Sequence, residues 1–197
     1  MAQIDEDALR EIRHKGESLL LEDLLLLIER HHPHEQPGIS RETIESYAET
    51  LSESRDDQFN IETFHEKLNT QLTDSHTWAG KEAIYELASG RISRYPEAWH
   101  DRLGETADIR EYIAFLQDEA PEFKDDLGRG GAGPGIPEQP LLDVVAVVGH
   151  VDRDDVKAQL QELREQGEIA EDADQHPNAG VVLRDRNDEF RDSGLDS

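Results

Sequence analysis

Near the start of the chain, the segment "SLLLEDLLLLIER" at 18–30 holds seven Leu and one Ile. Wound into a helix, that many apolar side chains cannot be confined to one stripe. A helix apolar around most of its circumference has to be surrounded by other elements. The first demand the sequence makes is therefore a helical layer built around this segment. Ser18 is placed to cap the helix, Glu22 and Asp23 fall in its first turn, and the stretch from Pro33 to Gly38 stops it.

The segments that follow can supply the layer. In "ISRETIESYAETL", Ser40 is an N-cap, and Ile39 and Ile44 occupy the two positions of a hydrophobic staple. Ile44, Tyr47, Ala48 and Leu51 then recur at helical spacing. Asn60 caps a third helix running to Leu72, with Ile61, Phe64, Leu68 and Leu72 on one face. Together these read as a helix-turn-helix core over 18–72. Further helices are expected at 76–89, stopped by Gly90, at 96–103, opened by Pro96, and at 107–118, capped by Thr106 and burying Ile109, Tyr112, Ile113 and Leu116. No segment before residue 123 alternates as a strand does, so residues 1–123 are expected to form an all-helical domain.

Composition then changes. "KDDLGRGGAGPGIPEQP" packs five Gly and three Pro into 17 residues. A flexible linker over 124–139 is expected, followed by a second domain at 140–186 and a disordered tail at 187–197. "PLLDVVAVVGH" opens the second domain as either helix or strand; Val144, Val145, Val147 and Val148 lean toward strand, and the Pro140 start suits a helix. Val156, Leu160 and Leu163 line one face of a helix that ends at Gly167. "EIAEDA" and "VVLRD" then read as strands joined by the turn "DQHPNAG".

The run "DDVKAQLQELREQGEIAE" followed by "GVVLR" resembles the last helix and wing of archaeal winged-helix domains, among them regulators and the small C-terminal domain of replicative helicases. The fold class expected is mainly α, an N-terminal helical domain plus a small C-terminal winged-helix-like α+β domain. The sequence departs from that family in one respect: the interval between His150 and Asp152 leaves hardly any room for the usual second helix. In DNA-binding members the last helix enters the major groove and the wing touches backbone, which calls for basic or amide side chains. The resemblance assigns those roles to Arg153, Lys157, Gln161 and Arg164 on the helix and Arg184 on the wing. Asp154, Asp155, Glu162, Glu165 and Glu168 stand against them.

Charge bears directly on that reading. Asp and Glu number 46 against 20 Lys and Arg, a formal net charge of -26, and only five of the bases are Lys. The bias resembles that of proteins from salt-loving archaea, where dense carboxylates hold water and molar salt cuts the Debye length to about 3 Å. On that reading the charge reports habitat more than partner. With no cysteine, disulfides, thiolate catalysis and Cys-ligated zinc are excluded. No apolar run reaches the length of a membrane span, and "MAQIDEDALREIRHKG" lacks a signal-peptide core, so a cytoplasmic location without membrane contact is expected.

Two other segments can carry chemistry. "WAGKEAIYELASGRISRYPEAWHDR" at 78–102 is locally neutral and holds both Trp residues, and its interleaved Arg and aromatic side chains suit either nucleic acid or a protein hot spot. Arg91, Arg94, Tyr95 and Arg102 are its candidate contacts. In "ERHHPHE", His31, His32 and His34 beside Glu29 and Glu35 are weak candidates for a divalent ion, with no helical His pair to support them. "GRGGAGPG" lacks the Lys-Ser/Thr ending of a phosphate loop. A non-enzymatic protein without cofactor or small-molecule substrate is expected. Its leading function is that of a DNA-associated regulatory or replication/repair accessory protein of a halophilic archaeon; the alternative is a protein–protein adapter with a winged-helix docking module. Arg side chains gathered in one open patch favour the first, and Arg side chains locked to neighbouring carboxylates favour the second.

Overall fold

The computed structural model describes residues 3–16, 19–32, 35–54, 59–127, 135–171 and 180–184. By its contacts the chain divides into Met1–Arg102 and Leu103–Ser197.

The first unit is assembled around the Leu-rich segment. Helix α1 (Glu6–Lys15), α2 (Leu21–His31), α3 (Arg41–Glu53) and α4 (Ile61–Gln71) follow one another, and Leu24, Leu25, Leu27 and Ile28 of α2 pack among Ala8, Ile12, Tyr47, Leu51, Phe64 and Leu68. The surrounded helix demanded by the sequence is thus present. It starts later than Ser18 suggests: Leu20 stands at the cap position without a side-chain hydrogen bond, and Ser18 itself lies outside the described residues. Ser40 and Asn60 do cap α3 and α4, accepting from the Thr43 and Thr63 amides at 3.0 and 2.8 Å.

The unit is not all-helical. Strands β1 (Leu72–Thr73), β2 (Ile84–Glu86) and β3 (Ile92–Ser93) form a sheet in the order β1-β2-β3, with β1 parallel and β3 antiparallel to β2. No helix forms at 76–89. Gly80 at φ +123 breaks any helical path there, and Ile84 and Tyr85 are buried as neighbours of β1 and β3 instead. Ile39 adds a bridge to Ile92 on the far side of β3, through reciprocal backbone hydrogen bonds. Gly38 at φ +77 turns the chain into that bridge; a Cβ there would lie 2.8 Å from the Ile92 carbonyl oxygen. Helix α5 (Glu97–Leu103) follows, its last residue opening the second unit.

The second unit holds α6 (Ile109–Asp118), α7 (Pro121–Leu127), β4 (Ile136–Pro137), α8 (Glu138–Val148), α9 (Arg153–Glu165), β5 (Ile169–Glu171) and β6 (Gly180–Leu183). Asp108, not Thr106, caps α6, and the Thr106 hydroxyl accepts from the Asp108 amide at 3.1 Å. The antiparallel sheet runs β4-β6-β5, with Ile136 opposite Val181 and Ile169 opposite Leu183. The expected linker at 124–139 is therefore corrected at both ends: 124–127 belong to α7, while Ile136 is fully buried in β4 and α8 begins at Glu138. Residues 128–134 lie outside the described residues, as do 174–179 of the expected turn and the expected tail at 187–197.

The Val-rich segment is helix. Val144, Val145, Val147 and Val148 are all buried in α8, where the core contact outweighs the modest helix penalty of β-branched residues. A helix does precede α9 closely: α8 ends at Val148 and α9 begins at Arg153, with only 149–152 between them. His150 takes a left-handed φ of +55, and Asp152 caps α9 by accepting from the Asp154 amide at 2.8 Å.

One chain path occurs twice. In the first unit α2, Ile39, α3, α4, β2 and β3 follow in order, with Ile39 bonded to β3. In the second, the α6–α7 segment, β4, α8, α9, β5 and β6 do the same, with β4 bonded to β6. The sequence has no fixed-period repeat, yet both units close a hairpin back onto a short strand that precedes two helices.

Candidate functional site

Helix α9 holds most of the C-terminal candidates, and two of its three bases, Arg153 and Arg164, are committed to α8. Arg153 Nε donates to Asp143 Oδ1 at 2.8 Å and Arg164 Nη2 to Glu138 Oε2 at 2.5 Å, tying α9 to α8. Arg184 donates to the Gly167 carbonyl oxygen at 3.1 Å. Gln161 is exposed and reaches Glu165 at 3.2 Å. Lys157 is exposed and has no ion pair among the described residues. Asp154, Asp155, Glu162 and Glu165 share the solvent side with it, so this face is acidic. Arg110, which the sequence did not single out, bridges Asp108 at 2.8 Å and Glu168 at 2.9 Å. Its bond to Arg110 holds the Asp108 carboxyl below the usual carboxylate range.

The Arg/aromatic segment is packed inward as well. Tyr95 and Arg94 are only 4% and 7% exposed, which removes both from any contact surface. The Trp99 ring stacks on Trp78 and on Tyr95, each at 5.6 Å. The Arg94 guanidinium lies 5.4 Å from the Trp78 ring and donates to the Ala83 and Lys81 carbonyl oxygens. Arg91 is half-buried and donates to the Pro37 and Gly38 carbonyl oxygens at 2.9 and 2.6 Å, fastening the β2–β3 turn to the Ile39 bridge. Arg102 is exposed at the end of α5. A basic side chain read as surface from its charge can be buried when backbone carbonyls take its donors.

His31 and His32 do not converge. His31 Nε2 meets Glu11 Oε2 at 3.0 Å, whereas His32 Nε2 meets Tyr47 Oη at 2.8 Å; His34 lies outside the described residues. Among the described residues no His, Cys, Asp or Glu group is arranged to hold a metal ion. Burial works to raise the Glu11 carboxyl, but its bonds to Arg30 and His31 prevail and leave it lowered.

The sequence offered Glu29 only as a neighbour of these histidines. In the structure it is 1% exposed on α2. Its Oε1 accepts the Ser93 hydroxyl at 2.7 Å, and its Oε2 accepts the Arg94 amide at 2.8 Å. Ser93 Oγ also lies 2.8 Å from His100 Nε2 and accepts the Tyr95 amide at 3.1 Å. Burial pushes Glu29 up to about 7, against the Arg94 amide, the Ser93 hydroxyl and the charges of Arg94 and Arg91. The signal was available: Glu29 follows Leu25 by four residues, on the core side of an apolar helix. Ser and His in contact suggest nucleophilic chemistry, but Ser93 and His100 are 1% and 5% exposed and present no open face to a substrate.

No protein-family model, curated protein or solved structure matches the chain. No helix among the described residues is long and apolar enough to cross a membrane.

Proposed function

We propose that the chain is a binding protein of a salt-loving archaeon, built from two winged-helix units, and that it acts as an adapter whose C-terminal unit docks on a protein. The order α8, turn, α9, hairpin, with the hairpin returning to β4, supports the winged-helix reading. The same path in the first unit extends it. One observation carries the adapter reading: Arg153 and Arg164 spend their charge on Asp143 and Glu138. A helix docking on duplex must instead direct such groups at phosphates and base edges. The solvent side of α9 offers four carboxylates, of Asp154, Asp155, Glu162 and Glu165, against the single ammonium of Lys157.

A second reading, a DNA-associated regulator, has its support in α4. The exposed side of that helix carries Thr63, Lys67, Asn69 and Thr70 against Glu62 and Glu66, side chains able to meet base edges with less charge to overcome. A duplex titration in about 2 M KCl, where phosphate attraction is screened, separates the two. The adapter reading expects no saturable binding by the wild type. Binding that is lost in Lys67→Glu and kept in Lys157→Glu would transfer the assignment to a duplex-binding regulator acting through α4; the reverse pattern would transfer it to α9.

The habitat reading has its own test. Screening relieves repulsion among the surplus carboxylates, so raising KCl from about 0.1 M to about 2 M is expected to raise the thermal midpoint. A midpoint that falls over that range would mean the acid surplus is not an adaptation to salt.

A further inference from the structure

We propose that Glu29, Ser93 and His100 form a reversible hydrogen-bond chain whose direction follows the proton on Glu29, and that this chain is a proton-sensitive latch holding the β2–β3 hairpin between α2 and α5. The three groups come from three elements: Glu29 from α2, Ser93 from β3 and His100 from α5. All are buried, and the two links measure 2.7 and 2.8 Å.

Stoichiometry makes the chain two-directional. A serine hydroxyl has one hydrogen to donate and room for two incoming bonds. The Tyr95 amide fills one of the incoming places in either state. With Glu29 ionised, Ser93 donates to Glu29, so His100 Nε2 must carry hydrogen and donate to Ser93. With Glu29 protonated, Glu29 donates to Ser93, Ser93 donates to His100 Nε2, and the imidazole hydrogen resides on Nδ1. With one hydrogen on the imidazole throughout, the two forms differ by one proton on Glu29. Every position on Ser93 Oγ is used in each form, so neither strands a donor or acceptor there.

The latch bears on the hairpin because Ser93 pairs across it with Tyr85, while the next residue, Arg94, gives its amide to Glu29 and its guanidinium to the Ala83 and Lys81 carbonyl oxygens. The charged groups acting on Glu29 are the guanidinium of Arg94 and, from the turn, that of Arg91. No acid opposes them in that set. Because the folded carboxyl keeps its proton up to about pH 7 and the unfolded one releases it near 4.5, folding takes up about one proton between those values. The contribution of Glu29 to stability is then fully present below about 4.5, falls as pH rises through the window and levels off above it.

The decisive experiment is nitrogen-15 NMR of the His100 ring in the intact protein across this pH window, with Glu29→Gln and Ser93→Ala alongside. The wild type is expected to pass from the Nδ1–H to the Nε2–H tautomer as pH rises, with a midpoint near that of Glu29. Glu29→Gln, which mimics the protonated carboxyl in shape and charge, is expected to abolish the passage, as is Ser93→Ala, which keeps Glu29 and breaks the relay. A wild-type tautomer that does not change with pH overturns the proposal, and so does a change that persists in Ser93→Ala. If Glu29→Gln fails to fold, the wild-type and Ser93→Ala spectra still decide it.

Discussion

Trp99→Ala is expected to cost about 3–5 kcal/mol of folding stability, the range for emptying a large aromatic site in a packed core. The ring is 2% exposed on α5 and lies between Trp78 and Tyr95, at interplanar angles of 18° and 12°. Stacked pairs of this kind contribute about 0.5–1.5 kcal/mol each beyond the area they bury, so the loss includes two ring contacts as well as a cavity. Trp78 is in turn the surface over which Arg94 holds the 81–83 carbonyls. Loosening it removes support from the loop leading into β2. Urea denaturation followed by far-ultraviolet circular dichroism measures the effect. A loss under about 1 kcal/mol would put Trp99 in the class of surface residues and return the segment to the role of a partner-facing patch.

What the sequence disclosed and what it concealed divide along a physical line. Helix α2 was legible because its apolar excess leaves no alternative to burial, and Ser40 and Asn60 were legible because a cap is satisfied within three residues of itself. Strand β2 was not. Its three residues are too few to show alternation, and its partners, Leu72 and Ser93, bracket it from 12 residues before Ile84 and 8 residues after Tyr85. The Val-rich α8 stayed open between helix and strand for the opposite reason: from Val144 to Val148 every side chain is buried, so no polar face betrays the period. The site was least legible of all. Charge marks Arg94, Arg153 and Arg164 as surface groups, but their positions are decided by acceptors that only the fold brings near, the Ala83 carbonyl oxygen, Asp143 and Glu138. Glu29 was overlooked for the same reason, since its partners Ser93 and Arg94 are more than 60 positions away.

The Gly/Pro stretch gives the sharpest contrast between composition and contact, and a measurable one. Gly135 lies in what composition describes as a tether, yet its backbone is in contact with that of Gly180 at the start of β6. A Cβ on Gly180 would fall 2.6 Å from Gly135 Cα, and one on Gly135 would fall 2.4 Å from the Gly180 carbonyl carbon. Neither neighbour is a side chain that can turn aside. Glycine here serves the close approach of two main chains. Gly180→Ala must therefore push β4 off β6, breaking the Pro137–Gly180 and Ile136–Val181 register and exposing Ile136, which is fully buried. Overpacking of this kind costs about 1–3 kcal/mol, and lost burial of one Ile adds about 1.5–3, so a total near 4 kcal/mol is expected. Hydrogen exchange supplies the local readout. Protection should fall at Val181 and Ile136, and Ile169–Glu171 should follow, because β5 pairs only with β6 in this sheet. Should the variant match the wild type in both urea midpoint and exchange, Gly135 and Gly180 are not in contact, and the segment would have to be read as a tether after all.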